Sequence, residues 1–314
     1  MIDYVLRRLI ALIPVWLGIS LLVYSTLVLL PGDPATAILG PYASEARVAE
    51  LQRQLGLDRP LFIRYWDWLT NVVRGDLGHS YAFERPVSQL VAERLGPTLL
   101  LASAALTLGT LLGLMLGSLA AVHRGWLDRA LTAFSLIGIS TPAFWLAMLG
   151  MLGLSVHLGW FPVSGMQPHL GESSALAVAH HLVLPASTLA LTAAGVIARL
   201  MRAAMLEALS SDYVRMARAK GLDESRVRYS HAFRSSIAQV IPVIGLQAGF
   251  VLGGTVYVET VFQWPGLGKL LVDAIAERDL LLVQGGVLVV ASLYVLVNLA
   301  TDILQRLLDP RVRV

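Results

Sequence analysis

Covalent chemistry has few candidate residues in this sequence. There is no cysteine, which removes a thiolate nucleophile, a disulfide and a thiolate metal site together. Ser20 and Ser140 each follow Gly-Ile, but a serine nucleophile needs a base within hydrogen-bonding reach. Neither has an evident histidine in a neighbouring apolar stretch, so an intramembrane hydrolase is poorly served. His180 and His181 are adjacent and cannot share a helical face as a pair of metal ligands would; a membrane-boundary role suits them better. Gly266-Leu267-Gly268-Lys269 is a Gly-rich turn, and no G-x-x-x-x-G-K-[ST] phosphate loop occurs anywhere. Any ATP hydrolysis tied to this chain therefore belongs to another one. What remains is binding. Ser140 and Thr141 before Pro142, Gln247, Thr255 and Asn298 lie within apolar stretches, and Glu259 lies at the edge of one. Such groups can line a solute path. Serine and threonine can equally bond to their own helix backbone, where Pro142 frees a carbonyl. Glu259 fits a gate, a docking contact or a structural hydrogen bond.

The most organised polar segment runs over 199–236. Ser211 or Asp212 can cap a short helix whose last turn carries Arg218 and Lys220, favourable against its dipole, with Gly221 allowing a left-handed exit. Helical spacing puts Tyr213, Met216, Ala217 and Lys220 on one face. Asp223 can cap a second helix leading through His231 and Arg234. Connections between bundle helices are usually about 2–8 residues, so this element is more than a link. It has the form of a short helix offered to a groove on a soluble partner, or of a cover over its own bundle.

The elements that must position these groups are membrane spans. The chain is 56% hydrophobic and 14% charged, with a mean hydropathy of +0.69. Every Asp, Glu, Lys and Arg falls outside six stretches, Leu9–Leu30, Thr98–Val122, Ala130–Val156, Leu182–Ala198, Ile237–Val258 and Leu280–Thr301. These approach the roughly 20 apolar residues that cross a bilayer as helix. Arg7, Arg8 and the small residues Ala35-Thr36-Ala37 mimic a secretory signal, but its apolar core is about 7–15 residues and the run here is longer, so an uncleaved first span is expected. With both ends on one side, that side holds 15 basic and 8 acidic residues and the other 9 and 13. The basic side is cytoplasmic by the usual bias. The pI of 9.3 thus reflects loops facing an anionic leaflet, with no nucleic-acid partner implied. Outside, 31–97 reads as a helical subdomain. Ser44 caps a helix to Leu55 with Val48, Leu51 and Leu55 on one face, and Pro60 starts a second that stops at Gly75. Phe62, Tyr65, Trp66, Trp68 and Leu69 form its aromatic face, for packing, an interfacial belt or docking. Gly109, Gly113 and Gly117, and likewise Gly245, Gly249 and Gly253, recur every four residues, a spacing that lets helices approach closely.

Asp212-Tyr213-Val214-Arg215-Met216-Ala217-Arg218-Ala219-Lys220-Gly221 resembles the cytoplasmic coupling loop of binding-protein-dependent ABC importer permeases, most closely the dipeptide, oligopeptide and nickel branch. Arg215-Met216-Ala217 stands where the general signature has Glu-Ala-Ala, and Gly221 matches its glycine. His231-Ala232-Phe233-Arg234 replaces the general Ile-x-Leu-Pro but is similar to the branch's His-Ala-Leu-Arg. Pro31-Gly32-Asp33-Pro34, Leu55 to Leu61, Gly75-Asp76-Leu77-Gly78 and Glu259 to Gly268 are similar to the branch too, and Asp309-Pro310-Arg311-Val312-Arg313 resembles the end of the first of its two paired permeases. The resemblance implies an all-α, type I importer-like membrane protein of six spans in the bacterial inner membrane. Its parts would be 1–30, the first span; 31–97, the outer segment; and 98–314, a five-helix permease core. It further implies a second homologous permease, two ATP-binding subunits carrying ATP and magnesium, a solute-binding protein, and no cofactor or metal on this chain. Asp212, Tyr213, Arg215, Met216, Ala217, Arg218, Gly221, His231 and Arg234 would couple to the ATPase, and Ser140, Thr141, Gln247, Thr255 and Glu259 would be path candidates. Peptides lead the possible substrates, with glutathione-like peptides and nickel chelates open. A gradient-driven secondary transporter is the competing expectation; such proteins need intramembrane ionisable groups, which the spans lack.

Overall fold

The computed structural model describes residues 2–29, 36, 44–54, 58–123, 125–168 and 174–308. The motifs at Pro31–Pro34, Leu55–Leu57 and Asp309–Arg313, most of Ala35–Ala37, and the expected helix end at Leu55 and Gly56 lie outside the described residues.

Apolar length becomes helix almost throughout. Among the described residues, five helices are long and apolar enough to cross a membrane: Leu6–Ser25, Val87–Val122, Ala175–Ser210, Glu224–Val261 and Leu280–Ile303. A sixth span exists only as the pair Trp126–Ser140 and Ala143–His157, bent by 105°. The span expected over Ala130–Val156 falls on this bent pair. Proline lacks the N–H that would continue the ladder and pushes the residue before it out of the helical region. Thr141 accordingly ends the first helix extended, at φ −89 and ψ 127, and Pro142 caps the second.

The chain divides into two compact units, Met1–Pro97 with Gly266–Leu296 and Thr98–Pro265 with Val297–Val314. In the first unit the helix Leu61–Val73 splits its aromatic residues. Tyr65 and Trp68 turn towards Tyr24 of the first helix, each with ring centroids 5.5 Å away, and Leu69 is buried. Phe62 and Trp66 stay exposed, so the single aromatic face expected from the sequence is two. Pro60 sits at the N-cap, one residue before the helix. Farther along, Asp279 accepts from Ser80 Oγ at 2.5 Å and from the Ala82 N–H at 3.1 Å, while its other oxygen caps the next helix at the Leu282 N–H, 3.1 Å. One carboxylate thereby fixes a two-residue antiparallel hairpin, His79–Ser80 with Arg85–Pro86, to the start of the last helix. Val87, Leu90, Leu267, Leu270 and Leu282 fill the core beneath.

In the second unit, glycine sets how closely helices approach. A Cβ at Gly109, Gly113 or Gly117 would come within 2.9 Å of Ala190 O, 2.6 Å of Ile197 Cβ and 2.4 Å of Ala198 O respectively. Gly138 and Gly195 make the same kind of contact between Trp126–Ser140 and Ala175–Ser210. The second-span stripe is therefore a packing seam within the chain. The fifth-span stripe divides instead: Gly245 presses on Thr301, whereas Gly253 faces open space.

Candidate functional site

The helix expected around Tyr213 spans Asp212–Ala219. Ser211 holds the N-cap position, yet its hydroxyl donates backward to Ala208 O rather than capping the new helix. Asp212 pairs with Arg215 on the exposed side. The exit is a Schellman turn: Gly221, at φ +75, donates to Arg218 O at 2.9 Å, and Leu222 donates to Ala217 O at 3.3 Å. Leu222 then folds onto Val214, Ala217 and Val227. Asp223 caps the next helix through the Ser225 N–H at 3.0 Å. That hydroxyl and N–H of Ser225 hold the Asp223 carboxyl below the ordinary aspartate value.

Packing decides which face is offered outward. Val214 and Ala217 are buried, at 0% and 7% exposure, while Tyr213 and Met216 stand at 44% and 61%. Ala217 thus leaves the face that helical spacing gave it, because Val227 and Leu222 cover that side. Tyr213, Met216 and the exposed Lys220 form the outward stripe. Arg218 is engaged within the chain. It donates to Glu224 from Nε and Nη2 at 3.1 and 2.9 Å, and from Nη1 to Leu209 O at 3.4 Å. Glu224 also accepts from Arg228 at 3.2 Å. The sequence reading missed Glu224 and Val214 as the anchors of the loop. Their signals were a carboxylate six residues after Arg218 and a valine one helical turn before Ala217.

His231 and Arg234 lie elsewhere, on a separate open depression with Arg226, Ser230 and Ser235. The helix that carries them begins at Glu224, passes through a π-helical stretch at Val227–Phe233 and continues as Arg234–Val261. The loop and the fifth span are therefore one continuous helical run.

Of the candidates in the spans, Ser140 is exposed and Thr141 donates to Ile137 O at 2.7 Å. Gln247, Thr255 and Glu259 are buried inside the subunit, at 8%, 1% and 0% exposure. Thr255 bonds Leu252 O at 2.8 Å, and Glu259 accepts from Thr98 Oγ1 at 2.6 Å. In this conformation these three contribute through packing and hydrogen bonding; the exposed side of the same helix is Leu246, Phe250 and Tyr257. Ser20 bonds Leu17 O and Tyr65 Oη, each at 2.8 Å. His180 and His181 bond the carbonyls of Trp160 and Ala177 at 2.9 and 2.8 Å. No metal-competent group of side chains occurs among the described residues.

Comparison with known proteins agrees along the whole chain. The family model described as "Binding-protein-dependent transport system inner membrane component" matches residues 109–314, and its N-terminal companion matches 1–102. The chain is 42% identical to the glutathione transport system permease protein of Salmonella typhi, over 100% of this chain and 99% of that protein. It is 43% identical, with the same coverage, to a putative peptide transport system permease protein of Brucella abortus strain 2308. Among solved structures, an inward-facing form of the MetNI methionine ABC transporter aligns with a TM-score of 0.55 and 19% identity, over 70% of this chain and 97% of that one. An amino acid ABC transporter aligns at 0.52 and 18%, over 72% and 95%. These two likenesses establish the fold, that of type I importer membrane subunits.

Proposed function

The chain belongs to the family of binding-protein-dependent transport system inner membrane components and is an ABC importer permease spanning the inner membrane several times; from that premise we propose that it forms half of the path for small peptides handed over by an extracytoplasmic solute-binding protein. Relatives named for glutathione and for peptides support this substrate class. The other half of the path is a second homologous permease. Energy comes from two ATP-binding subunits, which hold the nucleotide and magnesium; this chain binds no cofactor. Both termini are cytoplasmic, which places 199–236 beside the ATPases.

The observation that carries the reading is the construction of the coupling loop. One face of Asp212–Ala219 is sealed by Val214, Ala217, Leu222 and Val227, and Arg218 is bound to Glu224. Tyr213, Met216 and Lys220 remain to meet a groove on the ATPase, with Asp212 and Arg215 at its edge. Gly221 closes the helix, and the run Glu224–Val261 leads directly into the fifth span, with His231 and Arg234 on its side. A displacement of the loop by the closing ATPase is thus carried into the bundle by rigid helix, as a switch between two arrangements requires.

Because the chain has no cysteine, Met216→Cys introduces a single thiol. Cross-linking in native membranes with and without ATP should capture an ATP-binding subunit in a nucleotide-dependent way, whereas Val214→Cys, on the sealed face, should not. Efficient cross-linking elsewhere on the chain with no ATPase ever captured at 216 would refute the assignment and favour gradient-driven transport.

A further inference from the structure

We infer that the cytoplasmic foot of the fifth-span helix carries a phosphate-binding site, filled by the headgroup of an anionic phospholipid of the inner leaflet. This rests on the permease reading with 199–236 inside, and it concerns a surface that the coupling stripe does not use.

The site is the open depression lined by Arg226, Ser230, His231, Arg234 and Ser235. Their spacing is four, five, eight and nine residues from Arg226. An α-helix stacks residues three and four apart, so Arg226, Ser230 and Arg234 share one side of it, with His231 and Ser235 set off around the helix. The stretch Val227–Phe233 is π-helical, with i→i+5 bonding. Its wider turn brings residues four and five apart towards one side, which draws His231 towards the stack, and all five line one depression.

Most of the other arginines of the loop are engaged in ion pairs. Arg202 is bound to Asp128, Arg215 to Asp212, and Arg218 and Arg228 to Glu224. Arg226 and Arg234 form no ion pair among the described residues, and no carboxylate lines the depression. Two guanidinium groups, two hydroxyls and an imidazole present hydrogen-bond donors on one concave surface. Planar, permanently charged guanidinium forks fit phosphate oxygens.

Position points to a lipid rather than a soluble phosphate. Arg234 precedes by three residues the apolar stretch that begins at Ile237, a rise of about 4.5 Å along the helix, which is headgroup depth. Above it the helix exposes Ala238 and then Leu246 and Phe250, apolar side chains along which an acyl chain can lie. Basic pockets at the cytoplasmic ends of spans commonly hold anionic headgroups.

The test uses the fully assembled transporter and counts retained lipid by native mass spectrometry, comparing phosphatidylglycerol with phosphatidylcholine of equal chain length. Arg226→Gln with Arg234→Gln should lower phosphatidylglycerol retention about fivefold per arginine and about 25-fold together. Arg199→Gln, at an exposed arginine outside the depression, should leave it unchanged. If the double Gln variant fails to assemble, Arg226→Lys with Arg234→Lys answers instead, and should still prefer the anionic lipid. Equal retention of the two lipids by the wild type or by the Lys variant would overturn the proposal. Displacement of the lipid by millimolar inorganic phosphate would reassign the site to a soluble anion. Nucleotide-independent cross-linking of Ser230→Cys to an ATP-binding subunit would show that protein fills the depression. The Met216 cross-link is measured separately, so loss of either reading leaves the other standing.

Discussion

Gly221 closes the helix of the proposed coupling loop, and its replacement yields a prediction with a definite size. The residue lies at φ +75, and a Cβ added there would meet nothing within 4 Å. Gly221→Ala therefore carries no steric penalty, only that of holding an L residue in the left-handed region, about 1–2 kcal/mol. The helix it closes has 8 residues, too few to persist without tertiary support. That support is the small cluster of Val214, Ala217, Val227 and Leu222. A penalty of about 1–2 kcal/mol should raise the open population of the loop about 5–30-fold. Hydrogen exchange of the amides from Val214 to Leu222 in the assembled transporter reads this directly. On the proposed coupling role, ATP-dependent uptake in proteoliposomes should fall more than ATP hydrolysis, because the ATPases are untouched while their connection loosens. Gly221→Asn should recover most of both, since asparagine tolerates the left-handed region. Unchanged exchange in the Ala variant would refute the reasoning. So would an Asn variant as damaged as Ala, because the cause would then be the presence of a side chain rather than φ.

Three further outcomes follow from the same structure. Gly117→Ala places a Cβ 2.4 Å from Ala198 O and should cost about 1–3 kcal/mol by overpacking, seen as a lower melting temperature in detergent; Gly253→Ala, which meets open space, should leave melting unchanged. Thr98→Val removes the donor 2.6 Å from the buried Glu259 carboxylate and should destabilise by about 1–3 kcal/mol, with Thr98→Ser close to wild type in the same assay. The Asp223 carboxyl is held below the ordinary aspartate value by Ser225, so its cap is fully effective above that ordinary value and is lost as pH falls through the lower folded one. Exchange protection at Val227, whose N–H is bonded to the Asp223 carbonyl, should therefore drop only in acid below about pH 4, and Asp223→Asn should abolish that pH step.

The membrane spans were legible because exclusion of charge is an additive, one-dimensional signal: six windows without Asp, Glu, Lys or Arg correspond to five apolar helices and one bent pair. The boundaries of the 212–223 loop were legible because glycine at a left-handed position and aspartate at a helix start act locally. Other features depended on neighbours remote in sequence. An 8-residue helix with Tyr213, Val214, Met216 and Ala217 is apolar on more than one side, and only Val227 and Leu222, arriving from the next helix, decide that Ala217 turns inward. Pro142 marks a break in its own sequence, but the angle of 105° is seen only in the folded chain. Gly245 and Gly253 look alike along the chain; Thr301 beside one and open space beside the other make them different residues. Glu259 read equally as gate or hydrogen-bond acceptor until Thr98, 161 residues away, supplied the donor. Local backbone preference and hydropathy are properties of the chain itself, whereas the face a residue presents is set by what packs against it.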